Sequence, residues 1–334
     1  MRALLALGVL AALLAIPAAA ASPAAPPAGT IVFSRTVGEQ AELFSIQANG
    51  KGLKRLTREP AWDSEPAWSR DRRVIAAFGS GGIVIRRPDG SLVRRIAIPT
   101  EGIVAELRWS PDGAWLSYLV EHCQYEEPRG YVLPPCADLW VARPDGSETR
   151  RLLEREVYMG EDPSYTWSPG SRRFVYEAPS SGPTTLAVVD LRSGVTGRIP
   201  GTSGAADPTW SARGVIAFAK GRSIYAVQPS GRALRRLARG KWLSRPAWSP
   251  NGRRLAYLGV ERPNGPNPWG VWTVGANGRA RLRVGTATDD RPFVWSPDSR
   301  YLLWENLLER LTVARADRPG SARFLTRGTE ADWG

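Results

Sequence analysis

The stretch Leu107-Arg108-Trp109-Ser110-Pro111-Asp112-Gly113 contains the motif on which the fold of this chain depends. A tryptophan-serine pair is followed by a turn in which proline presets φ, aspartate bonds the local backbone and glycine tolerates tight geometry. Full or partial copies of the motif are centred on Trp68, Trp167, Trp210, Trp248, Trp295 and Trp333. A repeat at intervals of about 40 residues is typical of propeller blades or of helical arrays.

The residues between two motifs distinguish these architectures. After the turn comes an apolar strand such as Trp115–Leu119, then a strand such as Asp138–Arg143, then a second turn and a fourth strand. Four short strands joined by tight turns make one antiparallel sheet. Both faces of that sheet are apolar, so neighbouring copies must stack, and the repeated tryptophan supplies the largest side chain for the seam. The sequence therefore predicts an all-β fold, a β-propeller of four-stranded antiparallel blades.

The two ends of the chain decide the number of blades. Residues 30–57 contain the second, third and fourth strands of a blade but no preceding Trp-Ser strand, whereas residues 330–334 form an inner strand with nothing after it. Pairing these N- and C-terminal strands makes one blade, which gives seven blades with the six complete repeats and covers the exposed strand edges. Six blades and a loose end would result if the last residues fail to pair.

The Pro-x-Trp-Ser-Pro-Asp-Gly motif, the apolar strand after it and the later Asp-Gly turn resemble the TolB-like β-propeller repeat. The resemblance covers residues 30–334 and is specific for fold. It implies partner binding within a cell-envelope complex. Related repeats also occur in peptidase propellers and in some lyases, so the resemblance says less about function than about fold.

The N-terminal residues predict export. Met1 and Arg2 are followed by an apolar run, Ala3–Ile16, and by small residues that end at Ala21. This order is typical of a secretory signal peptide. We therefore expect a signal peptide at 1–21, a Pro/Ala-rich spacer at 22–29 and the propeller at 30–334, in a secreted, periplasmic or cell-envelope protein. An uncleaved anchor is the alternative; after cleavage we expect no transmembrane segment.

Cys123 and Cys136 lie in the longest interval between two motifs, as expected for a repeat that carries a loop insertion. In an exported protein such a pair is most simply a disulfide that closes this loop. The bond would stabilise the fold by roughly 3 kcal/mol on the chain-entropy model. Two unpaired thiols are the alternative, because spacing alone does not fix their geometry.

The formal net charge is +13, and arginine supplies almost all of it. Such a charge suits anionic wall polymers, lipid headgroups or nucleic acid, although we predict no specific nucleic-acid partner. Pairs such as Arg94-Arg95, Arg150-Arg151 and Arg235-Arg236 fall in predicted fourth strands, so we expect a basic rim around a more acidic centre. Charged outer strands prevent edge-to-edge aggregation, and the same rim would also hold a polyanion.

The candidate binding surface is the face at one mouth of the central channel. The loops ahead of the motif tryptophans should meet there, and most carry an acid shortly before the tryptophan. The candidate residues are Trp62, Asp63, Glu65, Glu106, Tyr158, Glu161, Asp162, Asp207, Trp242, Asp289, Asp290 and Glu330.

Two interpretations of these residues stay open. The acids would either hold Ca²⁺ or a cationic ligand, or accept local backbone hydrogen bonds that shape the loops. No compact Ca²⁺-loop spacing occurs, so we predict no cofactor, with Ca²⁺ at the acidic mouth as the alternative. The aromatic residues Trp62, Tyr158 and Trp242 would either stack on a sugar ring or anchor a partner, or pack between blades.

The sequence favours a binding scaffold over an enzyme. No Gly-x-Ser-x-Gly occurs, and His122 is the only histidine, whereas propeller lyases resembling this family use histidine-rich metal sites. We therefore expect a monomeric, noncatalytic scaffold that binds a protein partner or a cell-wall polysaccharide. A carbohydrate- or small-ligand-binding propeller is the alternative, and a lyase or glycosidase using channel carboxylates comes last.

Overall fold

The computed structural model describes residues 27–58, 62–99, 102–122, 136–158, 165–260, 269–288, 293–306 and 308–334. Every regular element in these ranges is a β-strand, and the strands form seven antiparallel sheets of four. The chain is a seven-bladed β-propeller, as the repeats predict. No helix in the described ranges is long and apolar enough to cross a membrane.

The blades are numbered in chain order, and within each the inner strand lines the channel. Blade 1 contains β1 (Thr30–Val37), β2 (Gln40–Gln47), β3 (Lys54–Arg55) and the inner strand β28 (Thr329–Trp333). Blade 2 contains β4 (Ser64–Trp68), β5 (Ile75–Gly79), β6 (Gly82–Arg86) and β7 (Leu92–Ala97). Blade 3 contains β8 (Ile103–Trp109), β9 (Leu116–His122), β10 (Cys136–Ala142) and β11 (Thr149–Tyr158).

Blade 4 contains β12 (Tyr165–Trp167), β13 (Arg173–Ala178), β14 (Thr185–Asp190) and β15 (Thr196–Arg198). Blade 5 contains β16 (Ala206–Trp210), β17 (Ile216–Lys220), β18 (Ser223–Val227) and β19 (Arg235–Arg239). Blade 6 contains β20 (Trp242–Trp248), β21 (Arg254–Val260), β22 (Trp269–Gly275) and β23 (Leu282–Ala287). Blade 7 contains β24 (Phe293–Trp295), β25 (Tyr301–Trp304), β26 (Arg310–Arg315) and β27 (Arg323–Arg327).

The ring closes by joining the two ends of the chain in blade 1. β28 pairs with β1, with Ile31 opposite Trp333, and the Thr30 N–H donates to the Gly334 carbonyl at 3.0 Å. The Trp333 indole N–H donates to the Ala28 carbonyl at 3.0 Å. The predicted closure is therefore confirmed, and six blades with a loose end is excluded.

The hydrophobic core lies between blades. Its buried residues divide into seven clusters, and each cluster combines the facing surfaces of two neighbouring blades. The motif tryptophans also bond across these seams: the indole N–H groups of Trp68, Trp109 and Trp295 donate to backbone carbonyls of the preceding blade at 3.0–3.1 Å. The repeated tryptophan thus supplies both apolar area and a fixed hydrogen bond to each of these seams.

The Ser-Pro-Asp-Gly turn is built as its residues predict. In blade 3 the Ser110 hydroxyl donates to Asp112 at 2.6 Å and accepts the Trp115 N–H at 2.9 Å. Gly113 takes φ 73°, and non-glycine residues occupy the same left-handed place in other blades, such as Arg72 at φ 60°. The serine and the acid therefore act within the turn.

Two faces of the ring follow from this strand order. One face carries the connections from each fourth strand to the next inner strand and the connections between second and third strands. We call it the mouth face. The opposite face, with the turns between first and second and between third and fourth strands, is called the base. The predicted basic pairs lie where expected, in the outermost strands β7, β11 and β19.

Candidate functional site

Five inner strands share an irregularity three positions before the motif tryptophan. The residue there has a left-handed backbone, with φ between 48° and 61°, and the pairing of the strand shifts register beside it. These residues are Glu65, Glu106, Asp207, Arg245 and Glu330. Non-glycine residues rarely take positive φ, and β-bulges of this kind re-aim side chains beside functional sites.

Three of the four carboxylates at these bulges bond to the neighbouring blade, whereas Glu106 pairs with Arg108 of its own strand. Glu330 accepts the Glu65 N–H at 2.8 Å, and Glu65 accepts the Leu107 N–H at 3.0 Å. Asp207 likewise accepts the Arg245 N–H at 2.9 Å. Sequence reasoning anticipated backbone hydrogen bonds within each loop, whereas the donors lie one blade further along the ring. The acids thus join adjacent inner strands at the mouth.

Two glutamates outside the predicted set make the same bond in other seams. Glu177, at the end of β13, accepts the Asp207 N–H at 2.7 Å, and Glu305, just after β25, accepts the Glu330 N–H at 2.8 Å. Each comes directly after an aromatic residue of the second strand of its blade, Tyr176 or Trp304. Aligning the blades by their second strands could have found both.

The central channel encloses a cavity of about 1010 Å³ to which all seven blades contribute. Its charged lining residues are Glu65, Glu106, Glu305, Glu330, Asp332, Arg108 and Arg245. Motif tryptophans of several blades line it as well. The channel is therefore a wide, mixed aromatic and charged site in which carboxylates outnumber guanidinium groups.

Burial and mutual repulsion disturb the ionisation of this lining. Burial, together with the nearby carboxylates of Glu106 and Glu330, raises the pKa of Glu65 to about 8, although the Leu107 N–H opposes the shift. Burial also raises the pKa of Asp332, whose carboxylate accepts the Trp68 N–H at 2.7 Å. A carboxyl group near neutrality can exchange a proton when a charged ligand arrives.

Arg108 is the cation inside this acidic cluster. Its guanidinium forms an ion pair with Glu106 and lies 5.3 Å from the ring centre of Tyr165. The Tyr165 hydroxyl in turn donates to the Glu106 carbonyl at 2.6 Å. Sequence reasoning missed Arg108 and Asp332. Both stand directly before a motif tryptophan, so an alignment of the blades with one another would have shown that this position is charged in two of them.

The predicted aromatic residues divide into two groups. The side chains of Trp62 and Trp242 are 59% and 61% exposed, in the connections ahead of β4 and at the start of β20. Tyr158, at the end of β11, is partly buried. Blades 2 and 6 are separated by three steps around the ring, so the two exposed tryptophans lie on different sides of the mouth.

Asp63 does not lie on the mouth surface, contrary to expectation. Only 1% of it is exposed, and its N–H donates to the Ala41 carbonyl at 3.0 Å. Its carboxylate lies 3.7 Å from the guanidinium of Arg86, which is also buried. Asp63 therefore belongs to the seam between blades 1 and 2.

Several predicted features fall outside the described residues: Glu161, Asp162, Asp289, Asp290 and Cys123. The disulfide between Cys123 and Cys136 accordingly stays a prediction, as does the signal peptide. Within the ranges that the structure describes, no group of three or more acidic, histidine or cysteine side chains is arranged to hold a metal ion.

No protein-family model matches the sequence. Among solved structures, TolB from Acinetobacter baumannii aligns with a TM-score of 0.56 at 14% identity, over 91% of this chain and 82% of that chain. Oligogalacturonate lyase from Vibrio parahaemolyticus gives a TM-score of 0.59 at 12% identity, over 90% and 86%. A puromycin-hydrolyzing peptidase from Mycobacterium tuberculosis gives 0.64 at 13% identity, over 89% of this chain and 53% of that chain.

At these identities the likeness shows the fold, which this chain shares with TolB proteins. It also overturns the prediction that the chain is not an enzyme, because a lyase and peptidases share the same propeller fold. Neither the fold nor the repeat is therefore a ground for excluding catalysis.

Proposed function

We propose that this chain is a binding propeller of the cell envelope or exterior, which receives a cationic segment of a protein partner at the acidic mouth of its channel. The charge of the channel carries the proposal. Five carboxyl groups and two guanidinium groups line the cavity, although the chain as a whole has a formal net charge of +13. A cleft of one charge sign with low-dielectric walls concentrates ligands of the opposite sign.

The shape and the aromatic lining support the same class of ligand. A cavity of about 1010 Å³ has room for several side chains of an extended segment. Trp68 and Trp109 line it beside Glu65 and Glu106, so a lysine or arginine side chain would meet both carboxylates and aromatic rings. The predicted signal peptide supports the envelope location.

Titration of Glu65 gives the proposal a chemical signature. An entering cation favours the ionised carboxylate, so binding of a lysine-rich segment lowers the pKa of Glu65 from about 8 and releases protons near neutral pH. Neutral ligands such as sugars do not favour the ionised carboxylate, so their binding should release no proton from Glu65.

The test uses a lysine-rich peptide and an acidic peptide of equal length as probes, measured by calorimetry. We expect the lysine-rich peptide to bind the wild-type chain with proton release, and the double variant Glu65→Gln, Glu330→Gln to bind it roughly tenfold more weakly. Glutamine can still accept the backbone N–H bonds that both glutamates make, so the ring stays closed.

The matched control is Glu39→Gln, Glu154→Gln, which makes the same two substitutions at exposed positions outside the channel lining. It should bind like the wild type. Equal binding by the channel variant, or equal binding of both peptides, would refute the proposed site. If the channel variant binds the lysine-rich peptide more weakly, an envelope protein captured by the wild-type chain and not by the variant would identify the partner.

A second candidate is carbohydrate binding, which the exposure of Trp62 and Trp242 favours. Exposed indole rings at a concave surface suit stacking on sugar rings. Soluble glycans that compete with the peptide, and a loss of that competition in Trp62→Ala, Trp242→Ala, would support this candidate over the first.

A further inference from the structure

The base of blades 4, 5 and 6 is strongly basic. Its six turns span residues 168–172, 190–195, 211–215, 228–234, 249–253 and 276–281. They contain seven arginines, all exposed: Arg172, Arg192, Arg213, Arg232, Arg253, Arg279 and Arg281. Among these turns, which are all within the described residues, the one acid is Asp190, which ends β14 and begins the second turn of blade 4. Its carboxylate accepts the Arg192 N–H at 3.0 Å and lies 3.9 Å from the Arg173 guanidinium.

The base of blades 2 and 3 has the same turns without this charge. Their arginines are Arg70, Arg72, Arg73, Arg87 and Arg143, and their acids are Asp71, Asp89, Asp112, Asp145 and Glu148. Opposite charges therefore balance on this side, whereas they do not in blades 4 to 6. The general arginine content of the chain does not explain the difference, because both regions are arginine-rich.

The imbalance arises at a position that the turn normally gives to an acid. In blades 2 and 3 the motif serine donates to the third turn residue, Asp71 at 2.7 Å and Asp112 at 2.6 Å. Blade 5 has Arg213 at this place, and blade 4 has Gly170. The turn of blade 5 still closes, because the Ser211 hydroxyl accepts the Val215 N–H at 3.0 Å.

A cleft of about 440 Å³ opens in this basic region at the seam between blades 4 and 5. Its lining includes Arg213 and Arg173, which also pairs with Asp190 at 3.9 Å, with the polar side chains of Gln228 and Ser230 beside them. Guanidinium groups bind phosphate oxygens through paired hydrogen bonds, and an amide or hydroxyl can donate a further one. The cleft therefore suits one phosphate group of a larger anionic surface.

Apolar side chains stand exposed in the same turns. Val195 is 67% exposed and Leu234 is 45% exposed, at the outer turns of blades 4 and 5. Apolar tips among basic residues are the combination by which proteins lie on an anionic bilayer: the charges meet the headgroups and the tips enter the interface. A soluble polyanion would give these two side chains no role.

The attachment of the N-terminal segment agrees with this orientation. β1 begins at Thr30 on the base, since Thr30 pairs with Gly334 and Ala48 donates to the Gly29 carbonyl. The apolar run Ala3–Ile16 is therefore joined to the propeller on the face that carries the arginines. If that run is retained as an anchor, the base faces the bilayer.

We propose that the base of blades 4 to 6 docks on an anionic lipid bilayer, with a headgroup phosphate in the cleft beside Arg173 and Arg213 and with Val195 and Leu234 at the interface. The base turns of neighbouring blades lie side by side on one face of the ring, so all six can meet a flat surface together. Docking of the base leaves the mouth face turned away from the membrane, open to a partner.

The test measures binding of the full chain to vesicles of phosphatidylcholine alone and of equal parts phosphatidylcholine and phosphatidylglycerol. We expect binding to rise with phosphatidylglycerol and to fall in high salt. The triple variant Arg192→Glu, Arg213→Glu, Arg232→Glu should lower the phosphatidylglycerol-dependent binding at least ~10-fold. The matched triple Arg70→Glu, Arg73→Glu, Arg87→Glu changes net charge equally on the balanced side and should stay within about twofold of wild type.

A second variant separates a bilayer from a soluble polyanion. Val195→Ser, Leu234→Ser should weaken binding to the mixed vesicles by several-fold and leave binding to soluble polyglutamate unchanged. Equal losses in the two arginine triples, or no dependence on phosphatidylglycerol in the wild type, would overturn the proposal. So would a Val195, Leu234 variant that binds vesicles as well as wild type, because the surface would then be a site for a polyanion. Peptide binding at the mouth is an independent readout, and these variants should leave it unchanged.

Discussion

The mouth and the base of this propeller carry opposite charge by different means. At the mouth, partly buried carboxylates are fixed by backbone N–H groups of the next blade, as Glu65 is by Leu107. At the base of blades 4 to 6, exposed arginines such as Arg192 and Arg232 stand on short turns. Burial brings the Glu65 pKa close to neutral pH, whereas arginine stays charged at any physiological pH. The same repeat therefore produces two surfaces: ligand binding at the mouth should respond to pH, whereas binding at the base should respond only to salt.

The largest effect should come from opening the ring that supports both surfaces. Trp333 is 4% exposed, bonds to the Ala28 carbonyl and packs between blades 1 and 7. Trp333→Ala should lower the free energy of unfolding by about 3–5 kcal/mol in denaturant titration. Trp62→Ala, at an exposed tryptophan of the mouth, should change it by less than ~0.5 kcal/mol. Similar losses in both variants would show that the closure seam is not special.

A smaller loss should follow from cutting the buried ion pair that connects the two faces. Asp63 precedes β4 on the mouth side, and Arg86 ends β6 next to a base turn. Asp63→Ala leaves a buried guanidinium without this carboxylate and should lower the free energy of unfolding by about 3 kcal/mol. Asp317→Ala, which breaks an exposed pair with Arg315, should cost ~1 kcal/mol or less. A reversed order would contradict the buried placement of Asp63.

Titration should then separate the two surfaces. The folded-state pKa of Glu65, at about 8, lies above that of a glutamate in the unfolded chain, so the folded chain holds an extra proton between about pH 4.5 and 8. The free energy of unfolding should therefore fall as pH rises through that window, by about 1–2 kcal/mol after allowance for channel water. Glu65→Gln should remove this slope, measured as the difference between wild type and variant.

The affinity for a cationic ligand should change with pH in the opposite direction from the free energy of unfolding. Binding of a lysine-rich peptide at the mouth should tighten up to about tenfold between pH 7 and pH 9, because the cation needs ionised Glu65. Vesicle binding at the base should stay constant over that range at fixed salt. A parallel pH dependence of the two activities would refute the division between the surfaces.

The smallest effect concerns the base turns themselves. Arg72 in blade 2 has φ 60°, where Gly113 in blade 3 has φ 73°. Arg72→Gly should raise the free energy of unfolding by ~0.5–1 kcal/mol, and Gly113→Ala should lower it by a similar amount. Neither change should alter vesicle binding, since both lie on the charge-balanced side of the base.

The fold could be predicted from the sequence because each blade repeats the same turn and strand pattern. The Trp-Ser-Pro-Asp-Gly turn is a local structure, and the unpaired segments at residues 30–57 and 330–334 can only complete each other. The acids were found for the same reason, since Glu65, Glu106 and Glu330 hold one position in the repeat. Local sequence patterns thus predicted which residues occupy equivalent positions in different blades.

What could not be predicted depends on contacts across seams. The donors to Glu65 and Glu330 lie in the next blade, and the burial of Asp63 depends on Arg86, which comes from a different strand. The charge of the base also escaped notice, because its arginines are dispersed over six turns and come together only when three blades are placed side by side. Distances between blades are set by packing, which the repeat does not encode.

The joining of both ends in blade 1 also sets an order for making the protein. Trp333 and the Ala28 carbonyl are 305 positions apart, so β1 leaves the ribosome long before its inner partner β28 is synthesised. Until then the edge of β1 has no strand beside it, and closure over so long a loop is slow. An incomplete ring therefore exposes a strand edge that can pair with another chain until β28 covers it.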